Sequence, residues 1–328
     1  MDRRQFLRVS VAPLATTLLA TPFSRFAVAA ATTPIALGAY ISGAPDNSLA
    51  LDQFTSMVGV APSVVMWYQD WAHSSFDVTR MNTVASRGLM PMVTWEPWDY
   101  TLGTNQPAYT LSAIISGTYD GYIQQWAQAA KDWGKPFYLR CAQEMNGNWY
   151  PWGNGVNGNT ASQYLAAWQH VWKIFAAAGA TNVRWVWCPN VAGRGKGGSA
   201  SNAFASFYPG DSYVNWLGLD GYNWGTTQSW STWQDLASVF GASYGAITKI
   251  TTKPLMIAET ASGEAGGSKA TWITTGLSST IPSKFPRVQA VIWFHENKET
   301  DWRVNSSSTA LTAYQQIAKS ARYQGKLW

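Results

Sequence analysis

The chain has 328 residues, of which 20 are tryptophan and only 12% are charged, against an ordinary charged share of about 25%. Of its 23 basic and 18 acidic side chains, four arginines and one aspartate lie within residues 1–29, which leaves 19 against 17, or +2, for the remainder. That balance, with no basic run beyond the first residues, argues against nucleic acid or an anionic membrane as partner.

At the N-terminus, Met1-Asp2-Arg3-Arg4-Gln5-Phe6-Leu7-Arg8 leads into an apolar run from Val9 to Ala20, and Ala27-Val28-Ala29 fits a small-residue cleavage site. Arg3-Arg4 ahead of a mild apolar segment predicts a twin-arginine-type signal peptide over residues 1–29 and a secreted or periplasmic mature protein. The segment is too short to cross a bilayer, so no membrane attachment is expected after cleavage. Residues 30–328 are expected to form one domain and a monomer.

Eight short apolar runs follow: Ile35–Tyr40, Ser63–Tyr68, Met90–Thr94, Phe137–Ala142, Val183–Cys188, Trp216–Leu219, Leu255–Glu259 and Ala290–Phe294. Each is continuous rather than alternating, as parallel strands covered on both faces read. Between them lie stripes at helical spacing, such as Leu51, Phe54, Met57 and Val58, then Tyr122, Trp126, Ala129 and Trp133, then Tyr164, Ala167, Trp168, Val171, Trp172 and Phe175. Asp77 can cap a helix that Gly88 ends, and Gly179 closes the third stripe. Eightfold strand–helix alternation predicts an α/β fold, a single (β/α)8 TIM barrel. A doubly wound open sheet is the alternative, but no glycine-rich phosphate loop follows the first strand. Cys141 and Cys188 end the fourth and fifth runs, and a bridge or two free thiols are equally open.

Most of these runs end in polar or aromatic groups: Gln69-Asp70-Trp71, Trp95-Glu96-Pro97-Trp98-Asp99, Gln143-Glu144, Pro189-Asn190, Asp220-Gly221-Tyr222-Asn223-Trp224, Glu259-Thr260 and His295-Glu296-Asn297. In such a barrel the strand ends converge on one mouth, where active sites form. Two runs halt on a glutamate: Leu139-Arg140-Cys141-Ala142-Gln143-Glu144-Met145-Asn146-Gly147-Asn148-Trp149-Tyr150-Pro151-Trp152-Gly153 and, 115 residues after the first glutamate, Lys253-Pro254-Leu255-Met256-Ile257-Ala258-Glu259-Thr260. A pair of carboxylates among aromatic rings matches the needs of glycoside hydrolysis: proton donor, nucleophile, and flat faces for pyranose C–H groups.

At Arg140…Gln143-Glu144-Met145-Asn146-Gly147-Asn148-Trp149-Tyr150-Pro151-Trp152-Gly153, at Ile257-Ala258-Glu259 and at Val291-Ile292-Trp293-Phe294, the chain resembles glycoside hydrolase family 26, in the clan of (β/α)8 retaining glycosidases. The resemblance implies an enzyme in which Glu144 is the acid/base and Glu259 the nucleophile. It implies Trp293 as the stacking platform of the −1 subsite and Tyr222 as a hydrogen-bond partner of the nucleophile. Arg140 would help keep Glu259 ionised, and Trp149 would wall the cleft. Asp70, Glu96 and Asp99 could hold sugar hydroxyls or cap the helices that follow them. Asp220 and Glu296 are expected to serve structure.

His73, His170 and His295 lack metal-ligand spacing, so neither a catalytic metal nor a cofactor is expected. The partner is a polysaccharide. Two positions depart from many mannanases of the family, which carry His where Gln143 and Glu96 stand here, near the −1 sugar. Family frequency puts β-1,4-mannan first as substrate for a retaining endo-enzyme. A mixed-linkage β-1,3-1,4-glucan comes second, then a xylan or exopolysaccharide. An exported carbohydrate-binding barrel without hydrolysis is the reading of a different class.

Overall fold

A computed structural model of the chain describes residues 33–195 and 198–327, so the expected signal at 1–29 lies outside the described residues. Eight parallel strands close into a barrel: β1 (Ala36–Ile41), β2 (Val64–Asp70), β3 (Met90–Glu96), β4 (Phe137–Cys141), β5 (Val183–Trp187), β8 (Trp216–Asn223), β9 (Leu255–Ser262) and β10 (Val288–His295). Their order around the barrel is β1-β10-β9-β8-β5-β4-β3-β2. Closure rules out the open doubly wound sheet. After β5 come two short antiparallel strands, β6 (Gly193–Gly195) and β7 (Gly198–Ala200). Among the described residues no helix is long and apolar enough to cross a membrane.

Each predicted apolar run overlaps a barrel strand because both faces of the strand are covered, although several strands run further than the apolar stretch. One apolar cluster fills the interior, with Val64, Met66, Met92, Tyr138, Val186, Met256 and Ile292. The larger one lies between strands and helices, with Val65, Val93, Leu139, Ile257, Val291 and Trp293. Membership alternates along each strand, as the two-residue period of a strand requires. The interior is tight: a Cβ on Gly38 of β1 would stand 2.5 Å from Ile292 Cδ1 and 2.8 Å from Val64 Cβ.

One irregularity matters for the site. Along β9, Ile257 pairs with Leu219 of β8, but the next partners are Glu259 and Asp220, so Ala258 is an extra residue. A bulge of this kind shifts the alternation by one and re-aims the following side chain. Met256 and Ala258 face the interior. Glu259 faces it too, and Ala261 turns outward to the helix layer.

The helices follow their end signals. Asp77 accepts the backbone N–H of Arg80 at 3.0 Å and caps the helix Val78–Ala85. Thr160 and Gln163 form a capping box for Ala161–Ala178, which ends on Gly179 at φ 78°. The stripe on Asp120–Trp133 is rotated from the predicted one: Ile123, Trp126, Ala127 and Ala130 are buried, while Tyr122, Ala129 and Trp133 lie half out. Cys141 and Cys188 are both free and buried. Cys141 belongs to the outer layer and Cys188 to the interior, so their side chains leave the barrel wall in opposite directions.

Candidate active site

The C-terminal ends of the strands surround a cavity of about 980 Å³ lined by Tyr40, Tyr68, Asp70, Glu96, Tyr222, Glu259 and Phe294, with Trp98, Trp149, Trp224 and Trp230 around it. Glu259 sits at its floor and is 1% exposed. Tyr68 donates to its Oε1 at 2.6 Å, Tyr222 to its Oε2 at 2.5 Å, and the guanidinium of Arg140 to Oε1. Burial, with the nearby charge of Glu259, holds both phenols well above the ordinary tyrosine range, so they stay protonated as donors.

Arg140 is wholly enclosed and serves two carboxylates. It pairs with Asp220 Oδ2 at 2.7 Å as well as with Glu259, and Thr94 Oγ1 accepts its remaining N–H groups at 2.8 and 2.9 Å. Cys188 donates to Asp220 Oδ1 at 3.2 Å. Burial raises the carboxyl of Asp220 well above its usual range, against the pull of Arg140. Asp220 therefore has the structural part expected of it, as the second anchor of the arginine.

Glu144 stands just past β4, with φ +54°, and Ala142 before it has φ +44°. Left-handed backbone at two non-glycine residues costs roughly 1–3 kcal/mol each and persists only where the surroundings enforce it. Here the backbone N–H of Glu144 is held by Cys188 O at 2.7 Å. The Glu144 carboxylate accepts from Asn190 Nδ2 and from Trp149 Nε1, both at 2.7 Å. One carboxylate oxygen from each of Glu144, Asp220 and Glu259 lies within 4.8 Å of the others.

Trp149 covers Glu144, and glycines shape its seat. A Cβ on Gly147 would meet three of its ring atoms at 2.6 to 2.7 Å, and one on Gly198 would meet Trp149 Cε3 at 3.1 Å. Gly147→Ala is therefore expected to displace the indole and lower kcat, without unfolding the barrel. Equal kcat for wild type and variant, with matched thermal unfolding, would show the seat to be looser than this.

The other predicted residues divide. Glu96 lines the cavity and accepts from Gln143 Nε2 at 2.6 Å and Trp98 Nε1 at 3.1 Å. Gln143 itself is fully buried, turned to Glu96 rather than to the cavity. Asp70 also lines the cavity, accepting from Ser74 Oγ at 3.2 Å and lying 2.6 Å from His73 Nδ1. Asp99 caps its own loop through Thr101, whose hydroxyl holds that carboxyl below its usual range.

Trp293 is a correction. It is 0% exposed, packs edge-on against Trp272 and Tyr314 in the outer layer, and donates Nε1–H to Trp302 O at 2.9 Å. On β10 the inward residues are Ala290, Ile292 and Phe294, so the platform position expected of Trp293 falls one residue out of phase. Phe294 lines the cavity in its stead, with Tyr40 stacked on it at 4.6 Å.

Sequence reading leaves out Tyr68 and Trp302, and it gives Asn190 a place at a strand end without a role. Tyr68 was within reach, since it lies two residues before Asp70 on the same strand and so on the same face.

Two clusters among the described residues bring three possible metal-ligand atoms within 4.8 Å: Asp70–His73–Asp99 and Glu144–Asp220–Glu259. In the first, His73 bridges the two aspartates. In the second, the cation in place is Arg140.

Residues 81–310 match the profile of Glycosyl hydrolase family 26. The chain belongs to that family. It is 43% identical over 285 residues to Endoglucanase H of Acetivibrio thermocellus, a match covering 85% of this chain and 30% of that protein. It is 28% identical over 208 residues to a Mannan endo-1,4-beta-mannosidase of Bacillus subtilis, covering 61% and 48%. The chain thus spans less than half the length of either relative. The catalytic domain of the Bacillus sp. JAMB-750 GH26 endo-beta-1,4-mannanase superposes with a TM-score of 0.68 at 18% identity, over 88% of this chain and 86% of that one, which establishes the shared fold.

Proposed function

We propose that this family-26 enzyme is a retaining endo-β-glycanase in which Glu144 is the acid/base and Glu259 the nucleophile. The observation that carries the reading is the approach of their carboxylate oxygens to within 4.8 Å. Retaining enzymes hold the two carboxyl groups about 5–5.5 Å apart, whereas inverting ones leave ~6.5–9.5 Å for a water. Three donors on Glu259 stabilise it as the attacking carboxylate. Glu144 would protonate the leaving oxygen, then activate the water that releases the glycosyl-enzyme. The ring-lined cavity supports a chain-shaped ligand, and Tyr40, Phe294, Trp224 and Trp230 offer it apolar faces.

As substrate we infer a β-glucan before a β-mannan. The similarity to Endoglucanase H is both higher and broader than that to the mannosidase, 43% over 285 residues against 28% over 208. This reverses the order that family frequency suggests. The two sugars differ at the C2 hydroxyl, axial or equatorial, and a site built to bond one leaves buried polar groups unpaired with the other. Purified enzyme tested on lichenan, glucomannan and galactomannan should release most reducing ends from lichenan and few from galactomannan. Faster cleavage of galactomannan would restore mannan to first place. Binding to these polymers without release of reducing ends from any of them would overturn the catalytic assignment itself.

A further inference from the structure

Lys269 opens the helix Lys269–Thr275 that follows β9, and it is 0% exposed. A buried ammonium is rare unless its hydrogens are all engaged. Here they are: Nζ donates to Asp301 O at 3.0 Å, Arg303 O at 2.6 Å and Ser306 Oγ at 2.8 Å. Ser306 in turn donates to Glu264 Oε1 at 2.7 Å. The carbonyl between those two, Trp302 O, is the one that Trp293 Nε1 holds. Three successive carbonyls of one loop are thus fixed by two core side chains, with Nζ itself 5.9 Å from the centre of the Trp293 ring.

The loop so fixed carries Trp302. Its ring lies 5.1 Å from that of Tyr222 and 4.9 Å from that of Trp224, and all three line the cavity. Tyr222 is the phenol that donates to Glu259 Oε2. A chain of contacts therefore runs from Lys269 through the loop and Trp302 to the phenol on the nucleophile.

We propose that Lys269 is a positioning residue for the active site, holding Trp302 so that Tyr222 meets Glu259 in its productive geometry. This rests on the reading of Glu259 as nucleophile. The ammonium offers three donors to three acceptors, and the neutral amine would offer only two. Deprotonation therefore releases one of the three contacts and loosens the loop. Burial pushes the ammonium down to about 8, with Arg303 adding to the effect and Glu264 and Asp301 opposing it. His295, on β10, faces the same charges and is itself pushed down to about 4, so it stays neutral in the alkaline range.

The sign of the stability effect is opposite to that of the activity effect. Because the folded state lowers the affinity of Lys269 for its proton, from 10.5 to about 8, the contribution of this group to stability rises as pH climbs through that window. Activity should fall across the same window. A residue that merely supported the fold would move both in one direction.

The test measures kcat/KM and thermal unfolding from pH 6 to pH 10 for wild type, Lys269→Met and Lys269→Arg, on the polymer the wild type cleaves best. Lys269→Met should lose kcat/KM by ~10-fold to 100-fold at every pH, the scale of a small displacement at a reacting group, and should lack the alkaline limb of the wild type. Lys269→Arg, which keeps its charge, should carry that limb to higher pH. Relative to Lys269→Met, wild-type stability should rise between pH 8 and pH 10. An alkaline limb at the same pH in all three proteins, or a Lys269→Met variant within twofold of wild type, overturns the proposal. Should Lys269→Met not fold, Ser306→Ala removes one acceptor and takes its place: a kcat/KM loss of at least threefold supports the proposal and a smaller one overturns it. The nucleophile reading is judged separately by Glu259→Gln, so an inert Lys269 with a dead Glu259→Gln rejects this proposal alone.

Discussion

Glu259→Gln is expected to lower kcat by ~10,000-fold to 1,000,000-fold, the scale on which removal of a nucleophile acts. The amide is nearly isosteric, its oxygen can still accept from Tyr68 and Arg140 while its NH2 donates to the hydroxyl of Tyr222, so the barrel should stay folded. Glu144→Gln should cost less, ~100-fold to 10,000-fold, the usual worth of a positioned acid or base. The two variants also separate by leaving group. An aryl glycoside whose phenol departs without a proton should largely rescue the glycosylation step of Glu144→Gln and leave Glu259→Gln inert. Azide should restore turnover to Glu259→Ala with an inverted glycosyl azide as product. A Glu259→Gln enzyme within tenfold of wild type, on a preparation free of revertant protein, would remove Glu259 from its role.

The largest stability effect should come from Arg140→Met. The side chain is 0% exposed and its guanidinium is the shared partner of Asp220 and Glu259. Removing one partner of a buried ion pair costs about 3–5 kcal/mol, because the charge left behind has lost its compensation. Two carboxyl groups are stranded in this case, so the deficit should depend on pH. Burial already raises the carboxyl of Asp220, and losing the guanidinium raises it further. A carboxyl raised in the folded state stabilises it most below the ordinary carboxylate range, and that contribution disappears as pH climbs through the raised value. The gap between wild type and Arg140→Met in urea unfolding should therefore be wide at pH 8 and narrow at pH 5. A gap constant with pH would mean that the buried carboxyl groups are not what the arginine compensates.

Much of this architecture was legible in the sequence because parallel barrel strands have no wet face. Eight uninterrupted apolar runs, most ending on polar or aromatic groups, leave few folds to choose from, and both glutamates sit where such runs stop. The same continuity hid the facing of individual side chains. Val291-Ile292-Trp293-Phe294 has no polar residue to mark which positions look inward, and it is Phe294 rather than Trp293 that lines the cavity. Gln143 and Glu96 were both placed beside the sugar, yet past the end of β4 the backbone turns left-handed at Ala142, and Gln143 packs sideways on Glu96. Lys269 and Trp302 left no local trace at all. Their meaning comes from a contact across 32 residues of chain, between the start of a helix and a loop beyond the next strand.

The extra residue in β9 makes that strand read in two phases. Up to Ala258 its even-numbered positions look into the barrel; directly after it the odd-numbered Glu259 does so as well. A relative that kept Ile-Ala-Glu letter for letter but paired the alanine regularly with the neighbouring strand would aim the glutamate at the helices. Matching letters in this motif is therefore a weaker guide to chemistry than matching the pairing of the glutamate with β8. The facing of Glu259 hangs on a parity, and a change of register in β9 is a more abrupt route to losing it than most substitutions there.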